Sequence, residues 1–222
     1  MTFSKALHLC PGVTAAIGGG GKTTLLRRLG EELSQSGTVL LCTTTKIYPF
    51  PDLPCARSGE ELDALRRNHH LLCAGTLLED SGKLTALSVP MAALMQRFDY
   101  VLVEADGSAG RPLKAHDPHE PAVPPEANQT ILVVGASGFG RPILEVAHRP
   151  ALYARLAEAG EGDAATPERA ARVLLAEALH TRVFINQTET ATRLAAARTL
   201  AGLLDCPVAA GSTQKGELQC LF

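Results

Sequence analysis

Residues 18–24, four glycines followed by a lysine and two threonines, carry the clearest chemistry in the sequence. Glycines let the backbone turn so that successive N–H groups converge on one anion, and a helix beginning near Lys22 adds its positive end. The Lys22 ammonium would reach the terminal phosphates of a nucleotide, and the Thr23 hydroxyl would bind Mg²⁺. The segment predicts a phosphate-binding loop, although Ala16 stands where the G-x-x-x-x-G-K-[ST] pattern begins with glycine. The candidate phosphate-binding residues are Gly18, Gly19, Gly20, Gly21, Lys22, Thr23 and Thr24.

An acidic group follows the apolar run at residues 100–103. Glu104 stands where a nucleotide hydrolase has the acid that holds Mg²⁺ or its water. Asp106 and Gly107 extend this acid to Glu-Ala-Asp-Gly, residues 104–107, which resembles a D-x-x-G switch, in which the glycine N–H meets the γ-phosphate. We therefore take Lys22, Glu104 and Asp106 as candidate catalytic residues, with Thr23 and Glu104 holding the metal and Asp106 orienting the attacking water. The alternative is that both acids begin a solvated loop.

Threonine hydroxyl groups follow the second predicted strand, Thr38–Cys42, which comes after the glycine loop and its helix. Thr44 and Thr45 would lie beside the phosphate loop, because ligands bind at the carboxyl ends of strands in open α/β sheets. The alternative is an ordinary threonine-rich turn. Second cations for transition-state charge would be Lys46, Arg111 or Lys114, the last two ranking higher because they follow the acidic motif.

A strand ending in N-x-x-[DE], at Asn186 and Glu189, is typical of proteins that read guanine through the acid. Gln187 and Glu189 depart from the usual N-K-x-D, so both GTP and ATP stay open. The later Gly211–Gly216 segment, which includes Ser212, would contact the base. The alternative is a strand end followed by Thr188 as a helix cap.

The amino-acid composition argues against several kinds of partner and site. A net charge of −2 and 4% aromatic residues predict no nucleic-acid partner. The six cysteines, without a C-x-x-C pair, predict reduced and mostly buried thiols of a cytoplasmic protein, and no apolar run is long enough for a membrane span. His116 and His119 have H-x-x-H spacing, but their proline-rich surroundings predict solvated polar residues rather than a metal site.

Short β-branched runs alternate with helical stretches, which predicts an α/β fold with three layers, a mostly parallel sheet flanked by helices. We expect one nucleotide-binding domain over residues 1–222. Residues 71–76 and 84–89 predict a hairpin that widens the sheet, and five prolines between Pro112 and Pro125 predict a surface loop, within 108–128, that acts as a lid. Thr166 and Pro167 predict a helix start.

These motifs together resemble the YqeC-type proteins, a family within the P-loop NTPases. The likeness rests on GGGGKTT, CTTTKI, VEADGSAGRPLKAHDPHEPAVP, ILVVG, the His148–Pro150 H-R-P, TPE, INQTE and AGSTQKG. The resemblance implies an accessory protein that matures a selenium-dependent molybdenum hydroxylase, with this enzyme or its maturation factors as partners. The glycine loop and TTTK are also similar to those of Mur-type ligases, so an ATP-dependent kinase or ligase acting on a small acceptor is one alternative. A non-catalytic nucleotide-gated cofactor chaperone is the other.

Overall fold

A nine-stranded sheet forms the middle layer of the structure, a computed structural model that describes residues 1–220. The strands are β1 (Gly12–Gly18), β2 (Val39–Thr43), β3 (Cys55–Ala56), β4 (Leu71–Ala74), β5 (Thr76–Leu78), β6 (Lys83–Thr85), β7 (Tyr100–Glu104), β8 (Leu113–Lys114), β9 (Ala127–Gly135), β10 (Ala147–His148), β11 (Arg182–Asn186), β12 (Val208–Ser212) and β13 (Glu217–Cys220). The sheet order is β13-β12-β11-β9-β1-β7-β2-β4-β3. Every pairing in it is parallel except that of β12 with β13, so the predicted α/β class is confirmed.

Helices cover both faces of this sheet. They are α1 (Phe3–Ala6), α2 (Lys22–Leu33), α3 (Gly59–Leu65), α4 (Met91–Met95), α5 (Ile143–Val146), α6 (Pro150–Leu156), α7 (Pro167–Glu177) and α8 (Ala191–Ala201), with a 3₁₀ turn at Ala136–Gly138. None of the helices within residues 1–220 has the length and apolar character that crossing a membrane requires.

Alternating side chains of the central strands divide the apolar core between the two faces. Ala16 of β1 packs in one cluster with α1 and α2, whereas its neighbours Ala15 and Ile17 pack in another with α7 and α8. A third cluster joins β2 and β7 to α3 and α4. Side chains alternate between the faces of a strand, and a parallel sheet covered on both faces buries both sets. The result is the three-layer arrangement that the sequence predicts.

The strand order corrects one expectation about the site. Strand β7 lies between β1 and β2, with Ala16 in register with Glu104 and Glu104 in turn in register with Thr43. The threonine-rich strand end is therefore one strand away from the glycine loop, and the acid at the end of β7 is the direct neighbour.

Three other predictions about elements are wrong in part. The hairpin of β5 and β6 is a separate two-stranded sheet and does not widen the main one. The proline-rich stretch is not a surface loop throughout, because residues 113–116 are buried and β8 pairs with β10. The last long helix is capped by Thr190 rather than Thr188, because the Thr190 side chain accepts from the Arg193 N–H at the start of α8. The cap at Thr166 with Pro167 is confirmed.

We expect Phe184→Ala to lower the free energy of unfolding by about 3–5 kcal/mol, because it opens a cavity in the core. Phe184 is fully buried in β11, and its ring packs edge-on against that of Phe3 in α1, with 5.7 Å between centroids. Urea unfolding followed by circular dichroism measures the change. Leu203→Ala is the control: its side chain is 42% exposed, and we expect a loss below about 1 kcal/mol. A loss of similar size in both variants would contradict this account of the core.

Candidate functional site

The glycine loop follows β1 at the middle of the sheet and leads directly into α2. Gly20 and Gly21 have φ of +83° and +113°, which side-chain-bearing residues rarely adopt. A Cβ on Gly20 would lie 2.5 Å from the backbone of Gly135, and one on Gly21 would lie 2.6 Å from the Asn186 amide. Glycines at these positions let the loop lie close to the backbone of Gly135 and to the side chain of Asn186.

Three of the four glycines already use their N–H groups inside the protein. The N–H of Gly18 donates to Asp106 Oδ2 at 2.8 Å, that of Gly19 to the Val133 carbonyl at 2.9 Å, and that of Gly20 to the Arg111 carbonyl at 3.1 Å. The amides that begin α2 have no carbonyl partner within the helix, so an anion would be bound by residues 22–24. Phosphate contacts by Gly18–Gly20 stay a prediction, and making them requires these bonds to be exchanged.

Lys22 is a buried cation at the start of α2, with 4% of its surface exposed. Its Nζ donates to the Gly18 carbonyl at 2.7 Å and lies 3.0 Å from Asp106 Oδ1. Asp106 is 1% exposed and lies just past the end of β7. The candidate catalytic lysine is thus held by the loop that it follows and by the second candidate acid.

Lys114 and His116 converge on the other oxygen of the same carboxylate. Lys114 Nζ lies 3.3 Å from Asp106 Oδ2, and His116 Nε2 lies 2.8 Å from it. Lys114 also donates to the Gly107 carbonyl at 2.6 Å and pairs with Glu120 at 3.1 Å. Burial alone would raise the pKa of Asp106, but the hydrogen bond from His116 and the charges of Lys22 and Lys114 outweigh it and lower the pKa to about 2. Asp106 is therefore an anion that cations surround.

His116 is buried and structured, so the prediction of a solvated residue is wrong for it. Its Nδ1 lies 2.8 Å from Glu177 Oε2, and its backbone N–H donates to Glu177 Oε1 at 2.6 Å. Burial would lower the pKa of His116, but the hydrogen bonds to Asp106 and Glu177 raise it overall. The expectation for His119 fits its exposed position.

The sequence holds one signal for the burial of Lys114 and His116, which the prediction of a surface loop did not include. In an extended segment, side chains two residues apart lie on the same side. Lys114 and His116 both reach Asp106, whereas Leu113 and Ala115 between them pack in the core. The alternation of polar and apolar residues at 113–116 is therefore that of a buried extended segment with one polar and one apolar side, which the surrounding prolines obscured.

Thr23 and Glu104 supply a second pair of contacts between α2 and β7. The Thr23 hydroxyl donates to Glu104 Oε2 at 2.6 Å. Burial raises the pKa of Glu104, although the Lys22 charge and the Thr23 hydrogen bond oppose the rise. One hydroxyl and one carboxylate are oxygen donors that suit Mg²⁺, which completes its shell with waters and phosphate oxygens. Within residues 1–220, no cluster of three or more metal-ligating side chains offers a separate cage.

The threonine-rich strand end is fastened to the acidic motif and to the proline-rich stretch. The Thr43 hydroxyl donates to the Glu104 carbonyl at 2.8 Å, and the Thr44 hydroxyl donates to the Ala122 carbonyl at 2.7 Å. The N–H of Thr45 donates to Thr43 Oγ1 at 2.9 Å. Ligand binding by Thr44 and Thr45 stays a prediction, since their polar groups make contacts within the protein here.

A cavity of about 520 Å³ opens beside Lys22, Thr23 and Glu104. Its far wall is formed by the segment after the threonines and by the separate hairpin, which an Ile47–Leu84 bridge fastens in place. The lining residues are Gly21, Lys22, Thr23, residues 46–51, Lys83, Glu104 and residues 107–110. Lys46 is therefore the predicted second cation that faces this cavity. Arg111 touches the glycine loop through its carbonyl, and Lys114 is part of the buried cluster.

The predicted base-reading residues lie near the other side of the glycine loop. Asn186 is buried, and its amide donates to the Gly20 carbonyl at 2.8 Å and accepts from the Thr213 N–H at 3.1 Å. Glu189 pairs with Arg193 at 3.3 Å. Burial would raise the pKa of Glu189, but hydrogen bonds, that of Ser212 foremost, lower it overall. Asn186 thus connects the phosphate loop to the segment after β12, and contact of Glu189 with a base stays a prediction.

We expect His116→Gln to destabilise the protein by about 1–3 kcal/mol through loss of buried hydrogen bonds. The raised pKa means that the fold favours protonated His116, so its contribution is full below the ordinary value of 6.5 and is lost as pH rises through the raised value. The destabilisation should therefore be larger near about pH 6 than near about pH 9 in urea unfolding. His119→Gln, an exposed change in the same segment, should leave stability unchanged at both pH values. Equal destabilisation by His116→Gln at both would rule out a protonated histidine.

Comparisons with known proteins agree with the motifs that build this site. The sequence model of the family described as "YqeC protein" matches residues 14–151, which include the glycine loop, the threonines and the acidic motif. "Uncharacterized protein YqeC" of Escherichia coli (strain K12) is 36% identical over 154 residues, which cover 65% of this chain and 60% of that protein.

Two solved structures show a weaker likeness. Chloroplast FtsY from Physcomitrella patens gives a TM-score of 0.48 at 15% identity, over 95% of this chain and 62% of that one. The signal recognition particle 54 kDa protein from Aeropyrum pernix K1, in complex with GDP, gives 0.45 at 15% identity, over 96% and 44%. The chain thus spans less than two thirds of the length of each of these relatives. The family match covers more than half of the chain, and the chain belongs to the YqeC family.

Proposed function

We propose that this protein binds a Mg²⁺–nucleoside triphosphate at the glycine loop and hydrolyses it. One observation carries the proposal: consecutive residues at the start of α2 each lie against an acid at the end of β7. Lys22 Nζ is 3.0 Å from Asp106, and Thr23 Oγ1 is 2.6 Å from Glu104. A cation and a hydroxyl at a helix N-terminus, beside a buried carboxylate, are the groups that phosphoryl chemistry uses.

The residues in and beside the glycine loop would have separate roles in binding the nucleotide. Thr23 and Glu104 would hold Mg²⁺, which supplies positive charge to the phosphate oxygens when bound. The amides of residues 22–24 would bind phosphate oxygens at the positive end of α2, and Lys22 would neutralise charge on the terminal phosphates.

Asp106 would act as a positioning residue for Lys22. Its Oδ2 accepts from the Gly18 N–H and faces His116, and its Oδ1 faces Lys22. These contacts favour a role in placing the lysine and the loop over the water-orienting role expected from the sequence. The Gly107 carbonyl accepts from Lys114, which couples the residue expected near the γ-phosphate to the same cluster.

A second candidate function is phosphoryl transfer or ligation to a small acceptor. The cavity supports it, because it extends from Thr23 and Glu104 to Lys46 and Lys83 and leaves room beside the phosphate position. Phosphate release that requires an added acceptor would favour transfer. Binding without release in a single-turnover assay would favour a non-catalytic, nucleotide-gated cofactor chaperone.

We further propose that the protein works in the cytoplasm in the maturation of a selenium-dependent molybdenum hydroxylase. The support for this role is the likeness of its whole motif set to that of the YqeC-type proteins. Hydrolysis at the loop would then gate delivery or insertion of a cofactor component, through the segments that the threonines and Lys114 fasten together.

We expect Lys22→Ala to weaken Mg²⁺–nucleotide binding by at least about 30-fold, because a buried charge contact to phosphate is lost. Titration with fluorescent ATP and GTP analogues measures the dissociation constants, and circular dichroism with urea unfolding verifies the fold. Asp106 keeps Lys114 and His116 as partners in this variant. Lys5→Ala, an exposed lysine of α1, is the control and should bind as the wild type does. Unchanged affinity in folded Lys22→Ala would refute the proposed site.

We expect GTP to bind more tightly than ATP, and Glu189→Ala to remove the difference, if Glu189 accepts hydrogen bonds from guanine. Parallel titrations of both nucleotides with Mg²⁺ measure the ratio of dissociation constants. Arg193→Ala is the matched control, because it removes the ion-pair partner of Glu189 and leaves the carboxylate in place. A GTP preference that survives Glu189→Ala would exclude this residue from base recognition.

A further inference from the structure

Two cysteines face each other on neighbouring strands beside the candidate site. Cys55 begins β3 and is the direct register partner of Cys73 in β4. Residues paired in this way project from the same face, and both side chains pack in the cluster that α2 covers. All five cysteines whose side chains the structure describes are free thiols, and the side chain of Cys220 lies outside the described part. The expectation of mostly buried thiols holds for Cys42 and Cys73, whereas Cys10 is exposed and Cys55 and Cys206 are half-buried.

The two thiols are chemically unequal. Cys55 lies on the edge strand and is half-buried, whereas Cys73 is fully buried behind it. The neighbouring Cys73 thiol lowers the pKa of Cys55, and the charge of Arg57 adds to the effect, whereas burial and the charge of Glu61 oppose it. The interaction with Cys55 and burial raise the pKa of Cys73. A half-buried thiol with a lowered pKa beside a fully buried thiol is the arrangement of an attacking and a resolving cysteine.

The backbone connects this pair to the wall of the cavity. The N–H of Cys73 donates to the Pro54 carbonyl at 2.9 Å, next to Cys55 in the chain. Phe50 is 4% exposed, packs in the same cluster as Cys73 and lines the cavity with Pro51. A change in the distance between the two sulfur atoms would move Cys55. Only residues 51–54 separate Cys55 from Phe50, so the movement would be transmitted to the residues beside Thr23.

We propose that Cys55 and Cys73 form a redox-active dithiol that low-molecular-weight disulfides oxidise to an intramolecular disulfide. The Cys55 thiolate attacks one sulfur of the small disulfide, whose S–S bond breaks and releases one thiolate. Cys73 then attacks the Cys55 sulfur of the mixed disulfide, gives up its proton, and displaces the second small thiol. Two protein thiols are oxidised, and one small disulfide is reduced to two thiols.

The first test uses the full-length reduced protein and oxidised glutathione, followed by thiol blocking and peptide mass spectrometry. We expect a peptide pair cross-linked through Cys55 and Cys73. Cys73→Ser should accumulate the glutathione adduct on Cys55, whereas Cys55→Ser should leave Cys73 unmodified. Cys206→Ser, which removes another half-buried thiol, should form the cross-link as the wild type does. A stable adduct on Cys55 without the cross-link in the wild type, or a Cys73→Ser variant that takes up no glutathione, would overturn the proposal.

The second test asks whether oxidation alters the candidate site, and this step rests on the proposed function. We expect the purified disulfide form to bind Mg²⁺–nucleotide about fivefold or more weakly than the reduced form, with affinity restored by dithiothreitol. Equal affinities in both forms would refute the connection through Phe50. Failure of the reduced protein to bind nucleotide would refute the proposed function and leave the cross-linking result standing.

Discussion

A single buried carboxylate holds the candidate site together. Asp106 is 1% exposed, yet it contacts the Gly18 N–H, the ammonium groups of Lys22 and Lys114, and the His116 ring. A charge taken out of water is stable only where partners replace its hydration, so these groups depend on one another. The glycine loop, the start of α2 and the segment after β7 therefore have their positions fixed by one shared ionic contact.

The glycines make that contact geometrically attainable. The segment after Asp106 crosses the loop so closely that the Arg111 carbonyl accepts from Gly20 and the Pro112 carbonyl accepts from Gly135. A Cβ on Gly19 would lie 2.5 Å from the Arg111 carbonyl oxygen. Loop and crossing segment form one unit, and His116 extends it to α7 through Glu177.

Local sequence patterns predicted much of the fold. Within the site, they predicted the glycine loop and the acid at the end of β7. The loop between β1 and α2, the acid at the end of β7 and the helix start at Thr166 depend on neighbouring residues, which a sequence displays directly. The burial of His116 depends on Glu177, a residue 61 positions away, and no local signal specifies that partner. The position of β7 between β1 and β2 is likewise a property of the whole sheet.

The residues around Asp106 also form a network of opposite charges. Lys22 and Lys114 face Asp106, His116 lies between Asp106 and Glu177, and Glu120 is shared by Lys114 and Arg149. A ligand that draws Lys22 toward itself removes one positive charge from this set, and the remaining acids repel the incoming anion. Under the proposed function, anion entry would therefore be an exchange of counter-ions. A polyphosphate that also gains the amides of α2 and a metal would compensate for the lost contact with Asp106 more fully than a simple monovalent anion would, so the buried cluster would discriminate between the two.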